Sequence, residues 1–329
     1  MKAATLTDLF HSRALAGVLA LCAVVAAWFW FAGGYTVPVV GDRGFALPSA
    51  NEWLPAGWLN FAACIAVTAL TVLFTAMMNK IHNVLRGMTG LYISLFAVME
   101  MSVPDFMTQL YTGPVLALTA TVALMLLFDC YKSPAASGHV FLVFLMFSLL
   151  AATQYCFALY VPVFLIICAQ MRALNMKTLI AAALGVITPW WMLIGFGIVS
   201  LSDIHLPDFR TIFATMDFGD QAATLVSVGF TALLLILSVV LNIFKAIAYN
   251  ARSRAVNGSI TVAGLFTVLG ACLDFSNIPA YVPLLNMLAA VQTAHYFTTH
   301  RWPRTWIPLA LIILVYIALY VCQILISTL

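Results

Sequence analysis

The 329 residues are 64% hydrophobic and only 8% charged, with a mean hydropathy of +1.07. A soluble domain carries about 25% charged residues and has no means of hiding this much apolar surface from water. Soluble fold classes are therefore excluded, and the net charge of +3 matters less than where the charges lie.

A chain embedded in lipid must satisfy its own backbone, so the expectation is an all-α, polytopic transmembrane helical bundle. The first apolar run, Ala14 to Phe31, follows Lys2 and Arg13. It outlasts a signal-peptide core, holds the bulky Trp28, Phe29, Trp30 and Phe31, and is followed by no small-residue cleavage pattern. It is read as the first of about eleven spans. These fall at 14–32, 57–78, 87–103, 114–130, 139–154, 157–171, 178–200, 222–245, 258–273, 278–297 and 306–327. The two longest connections, 33–56 and 201–221, are too short for a separate soluble domain, so residues 1–329 form a single transmembrane domain.

Charge orients the spans. With the N-terminus inside, twelve of the fourteen Lys and Arg fall on inner segments, and only Arg43 and Arg210 fall outside. That distribution follows the positive-inside rule at every inner loop, and an odd number of spans puts the C-terminus outside. Nine of the eleven acids lie on the opposite, outer side, leaving Asp8 and Asp129 inside. The rule does not demand acids outside. They read either as solvated loop charge or as the lining of a site.

Residues 139–171 form one nearly continuous apolar run, broken by Gln154, Tyr155, Tyr160 and Pro162. Lys132 and Arg172 hold both ends inside, so the run goes out and back. Each arm of about 16 residues reaches roughly 24 Å, short of a ~30 Å hydrocarbon core. The turn at Gln154 and Tyr155 is therefore expected below the outer interface, sheltered by protein. Glu100 lies inside the apolar window of the third span, about one turn from its outer end. The ninth span reads as short and ends at Asp274. Ionisable groups in spans face a bundle interior or a water-filled cavity, so Glu100, Gln154 and Asp274 suggest a polar recess open to the outside. The plainer alternatives are that Glu100 snorkels to the surface and that Asp274 ends a helix.

In the second long outer loop, Asp203, His205 and Asp208 offer oxygen and nitrogen ligands for a divalent cation. Their spacing matches no defined metal motif, and a solvated loop fits equally. That cation is the only cofactor the sequence suggests. No phosphate-binding loop, nucleophile elbow or zinc-protease motif occurs, and nothing points to a nucleic-acid partner. The sequon at Asn257 falls on the inner side, where it would be silent. His295 and His300 are read as interfacial anchors beside Arg301 and Arg304. Trp28, Trp30, Trp53, Trp58, Trp302 and Trp306 fall near span ends, as an aromatic belt requires. The seven scattered cysteines contain no C-x-x-C pair and read as small buried hydrophobes.

Three groups of residues carry a resemblance. They are Gly41-Asp42-Arg43-Gly44 with Glu52, then Glu100 with Asp105, and the run Phe141 to Arg172 followed by Leu184-Gly185-Val186-Ile187-Thr188-Pro189. Together the first seven spans resemble the membrane module of GT-C glycosyltransferases. The whole chain also resembles polytopic bacterial inner-membrane proteins grouped only as domains of unknown function. The GT-C likeness implies transfer or polymerisation of a polyprenyl-phosphate-linked sugar at the outer face of the inner membrane. It implies a catalytic role for Asp42, with Glu100 or Asp105 assisting. For such chemistry Arg43 and Arg210 are the outer cations that could meet the leaving phosphate, and Gln154, Tyr155 and Asp274, at the recess, are the other candidate substrate contacts. Two other functions suit the same residues. One is a transporter of a cation or neutral solute, with Glu100 as coupling site; the other is a non-catalytic scaffold of a membrane complex.

Overall fold

A computed structural model describes residues 10–35, 46–85, 87, 89–133, 136–204, 222–246, 249–299 and 304–327. Among these residues there are eleven α-helices and no strand. They are α1 (Arg13–Ala32), α2 (Trp58–His82), α3 (Gly90–Met101), α4 (Thr112–Asp129), α5 (Ser137–Ala151) and α6 (Cys156–Gln170). The remainder are α7 (Met176–Gly195), α8 (Ala222–Ala246), α9 (Ala251–Leu273), α10 (Ile278–Thr299) and α11 (Trp306–Ser327). Each corresponds to one expected span, and seven are long and apolar enough to cross a membrane.

Two helices form the centre. In α10, 19 of 22 residues are buried, and in α3 all but Ile93 are. Both are buried around their whole circumference and mostly apolar, as helices enclosed by other helices are. α10 packs on α3, α4, α8 and α9, while α1 and α11 close over α3. The peripheral helices point large side chains outward: Leu21 and Phe29 on α1, Ile187 and Trp191 on α7, Leu311 and Leu314 on α11. An apolar exterior around a packed centre is what lipid solvation permits. The centre is also cross-linked by polar side chains, the adhesive of membrane bundles. Ser238 meets Thr293 at 3.0 Å, Thr231 meets Tyr316 at 2.8 Å, and Tyr160 meets Thr267 at 2.8 Å. Asn242 donates to Gln292, which donates in turn to Thr261.

α5 and α6 are the two short arms expected from the run 139–171, at 15 residues each. The turn between them is buried, with Gln154 3% exposed. A segment of the first connection lies over it: the N–H groups of Ala46 and Leu47 both donate to the Ala152 carbonyl. α5 sits unusually close to α7 because Gly185 has no side chain. A Cβ there would meet the Phe141 carbonyl oxygen at 2.6 Å.

Some sequence expectations are corrected. The ninth span is not short: α9 has 23 residues and begins seven residues before the expected 258. Asn250 caps it by accepting from the Ser253 N–H at 2.8 Å, so the polar stretch Ala251–Asn257, invisible to hydropathy, is helical. Trp30 turns inward against Tyr35 and Tyr320 instead of facing an interface. His295 is not an interfacial anchor but a buried strut, donating from Nδ1 to the Val84 carbonyl at 2.9 Å and accepting from Tyr249. All seven cysteines are free, but Cys22, Cys272 and Cys322 are exposed instead of buried.

Candidate functional site

The outer end of the bundle, as charge assigns it, holds two carboxylate groups joined by α10. The first is built on the last turn of α3. Glu100 is 2% exposed, and Asn286 of α10 donates to its Oε1 at 3.2 Å. Asn286 lies eight residues into α10, about 12 Å at roughly 1.5 Å per residue, so this contact is well below the outer end. Glu100 does not snorkel. Cys64, Tyr92 and Tyr111 are all buried within electrostatic reach of it. Tyr111 precedes α4, and its buried hydroxyl has no hydrogen-bond partner among the described residues.

The charge of Asp105 also acts on this hydroxyl. It sits in the turn Pro104–Met107 that connects α3 to α4. Its Oδ1 accepts from Gln323 of α11 at 3.3 Å, and Gln323 also reaches Thr224 at 3.1 Å. Burial pushes the Asp105 carboxyl up to about 6, against the opposing pull of its own N–H, the Phe106 N–H and Gln323. Asn60 of α2 braces the adjoining strand of chain by accepting from the Leu110 N–H. Among the described residues no Lys or Arg pairs with Glu100 or Asp105; the one ion pair there joins His82 and Asp129.

The second group surrounds Asp274 at the α9–α10 turn. Its Oδ2 accepts from the hydroxyl of Tyr155, from Asn277 Nδ2 at 3.2 Å and from the Tyr281 hydroxyl at 3.1 Å. Tyr155 begins α6 and Tyr281 belongs to α10, so this carboxylate ties three elements together. Gln154, beside Tyr155, is buried in the same turn.

The expected residues thus divide. Glu100 and Asp105 have separate hydrogen-bond partners and are linked only through their charges acting on Tyr111, whereas Tyr155 bonds directly to Asp274. Asp42, Arg43, His205, Asp208 and Arg210 lie outside the described residues, and of Asp203 only the backbone is described. Among the described residues no group of three His, Cys, Asp or Glu gathers as a metal site would require. Sequence reasoning did not find Tyr111, Asn286 or Gln323. Their signal was a neutral polar group within an apolar run, which occurs in most spans of this chain.

Comparison with protein-family models, with curated proteins and with solved structures finds no match.

Proposed function

We propose that this chain is a multi-pass transporter of the bacterial inner membrane, and that Glu100 is its ion-coupling site. The observation carrying this reading is a carboxylate deep in a helical bundle, with one neutral donor and, among the described residues, no cation to balance it. An ionised carboxylate in such surroundings is costly unless a counter-charge arrives, and a neutral one must hold a proton. Either way the site is sensitive to a small cation. One carboxylate, one amide and one phenol make a poor shell for a metal that takes six or more oxygens, so a proton suits it best. Tyr111, whose buried hydroxyl bonds to no described residue and feels the charge of both Glu100 and Asp105, is the candidate group for passing that proton between the deep carboxylate and the shallower one. The outer acids would raise the local cation concentration, favouring a neutral or cationic solute.

Transfer of a lipid-linked sugar is supported less. A general base has to come within hydrogen-bond reach of an acceptor hydroxyl, whereas Glu100 is sealed by packing.

Flux in proteoliposomes under an imposed pH gradient tests the proposal. Wild-type protein should move a neutral or cationic solute faster than empty vesicles do, and Glu100→Gln should reduce flux to background while inserting normally. Wild-type flux no different from empty vesicles across a solute panel, or full flux in Glu100→Gln, would overturn it. Loss of surface glycan in Glu100→Gln cells would favour the enzyme instead.

A further inference from the structure

The opposite, inner end of the bundle holds a cavity of about 470 Å³, within the range of small-molecule sites. Its walls come from the end of α2, the start of α9 and the end of α10, and it shares no residue with the outer carboxylates. The chemistry of the lining is one-sided. Arg252, Ser253 and Asn250 stand at the first turn of α9, Asn257 one turn further, His82 at the end of α2 and His295 on α10. Among the described residues no Asp or Glu lines it.

The hydrogen bonds decide which of these groups are available. Arg252 Nη2 lies 3.3 Å from His82 Nδ1. A guanidinium only donates, so Nδ1 accepts and the ring hydrogen sits on Nε2. That Nε2 is buried and faces Asp129 Oδ1 at 3.6 Å, so His82 positions the Arg252 guanidinium and offers the cavity no donor of its own. Asn257 is 9% exposed, and no described residue engages its amide. Arg252 makes no ion pair among the described residues; its further contact is a 3.5 Å approach to the Phe128 carbonyl. His295 is already committed on both nitrogens and serves as wall. What remains is a guanidinium, a carboxamide and a hydroxyl, gathered in the first turns of a 23-residue helix. A helix start adds unsatisfied N–H groups and the positive end of the dipole.

We infer that this cavity binds a phosphate group, held by Arg252 and Asn257 at the start of α9. A tetrahedral oxyanion presents several acceptors to several converging donors, and a guanidinium recognises it in a charge-assisted, bidentate manner. Asp129 opposes the anion from behind His82 and is the local charge that limits affinity. The phosphate has two possible sources, a soluble phosphate compound or a phospholipid headgroup at the inner leaflet. The inference does not rest on the transport reading.

The test uses full-length protein in phosphatidylcholine nanodiscs. One arm titrates inorganic phosphate by calorimetry against chloride at equal ionic strength. The other includes phosphatidic acid in the disc and measures its retention by native mass spectrometry. Binding of either probe by wild type, weakened about ten-fold or more in both Arg252→Gln and Asn257→Ala, supports the site. Binding of phosphate alone assigns the soluble source, and of phosphatidic acid alone the lipid. Unchanged ligand-free melting in the variants separates lost binding from lost folding. Should Arg252→Gln fail to insert, Arg252→Lys makes the same comparison, because it keeps the charge and loses the planar fork. No binding of either probe by wild type, or equal binding in the variants, would overturn the inference.

Discussion

Replacing Tyr281 by Phe removes one hydroxyl from Asp274 and leaves the ring where it packs, against Gly270 of α9, whose missing Cβ would fall 3.0 Å from it. The hydroxyl donates to Asp274 Oδ2 over 3.1 Å, alongside Tyr155 and Asn277. A hydrogen bond to a charged acceptor contributes about 1.5–3 kcal/mol in soluble proteins, while interhelical bonds in membrane bundles average nearer ~0.6. Since Asp274 keeps its other donors, Tyr281→Phe should cost about 1 kcal/mol. Tyr155→Phe, which unties the start of α6 from the α9–α10 turn, should cost about the same. The double variant leaves a buried carboxylate short of two donors together, so its cost should exceed the sum by about 1 kcal/mol. Asp274→Ala strands all of its donors at once and should cost about 3 kcal/mol. Reversible unfolding in mixed micelles, run as a double-mutant cycle, measures each quantity. Strict additivity, or a Tyr281→Phe variant as stable as wild type, would refute the view of Asp274 as a shared acceptor.

Gly185→Ala should destabilise by about 1–3 kcal/mol, because the added methyl meets the Phe141 carbonyl oxygen at 2.6 Å and the backbone cannot yield as a side chain would. An unaltered melting temperature would contradict the close packing of α5 on α7. Asp105 titrates higher in the folded protein than its ordinary 3.8, at about 6, so the folded state binds its proton more tightly than the unfolded chain does. Stability therefore declines as pH rises through that window. Asp105→Asn should match wild type below it and melt higher above it; the reverse order would exclude burial as the cause. In cells expressing a variant without the exposed thiols Cys22, Cys272 and Cys322, a cysteine at Ser202 should react with an impermeant reagent and one at Arg254 should not. Reaction at 254 alone would invert the orientation.

Much of the architecture was readable from hydropathy, because in lipid the helices that face outward have to be apolar along their length. α9 shows the limit of that signal. Its first two turns, Ala251–Asn257, are polar because they line the inner cavity, and the capping Asn250 is what marks their start. Glu100 was legible as a lone acid within an apolar window. Its partner was not: Asn286 is 186 residues away, and nothing local distinguishes it from Asn242 or Gln292, which merely bond helices together. The inner cavity was hidden for the same reason. His82 and Arg252 are 170 residues apart, and in sequence each reads as an ordinary basic residue at the end of a span. Asp274 was legible as an acid at a span end. That tyrosines from α6 and α10 both bond to it follows from packing alone.

The account turns on whether Glu100 exchanges a proton inside the folded bundle. Infrared difference spectroscopy of the reconstituted protein across a pH jump measures this directly. Wild type should show a carboxylic-acid carbonyl band that vanishes as the proton leaves, shifts when Asn286 is replaced by Ala, and is missing from Glu100→Gln. Difference spectra that are the same in wild type and Glu100→Gln would contradict it.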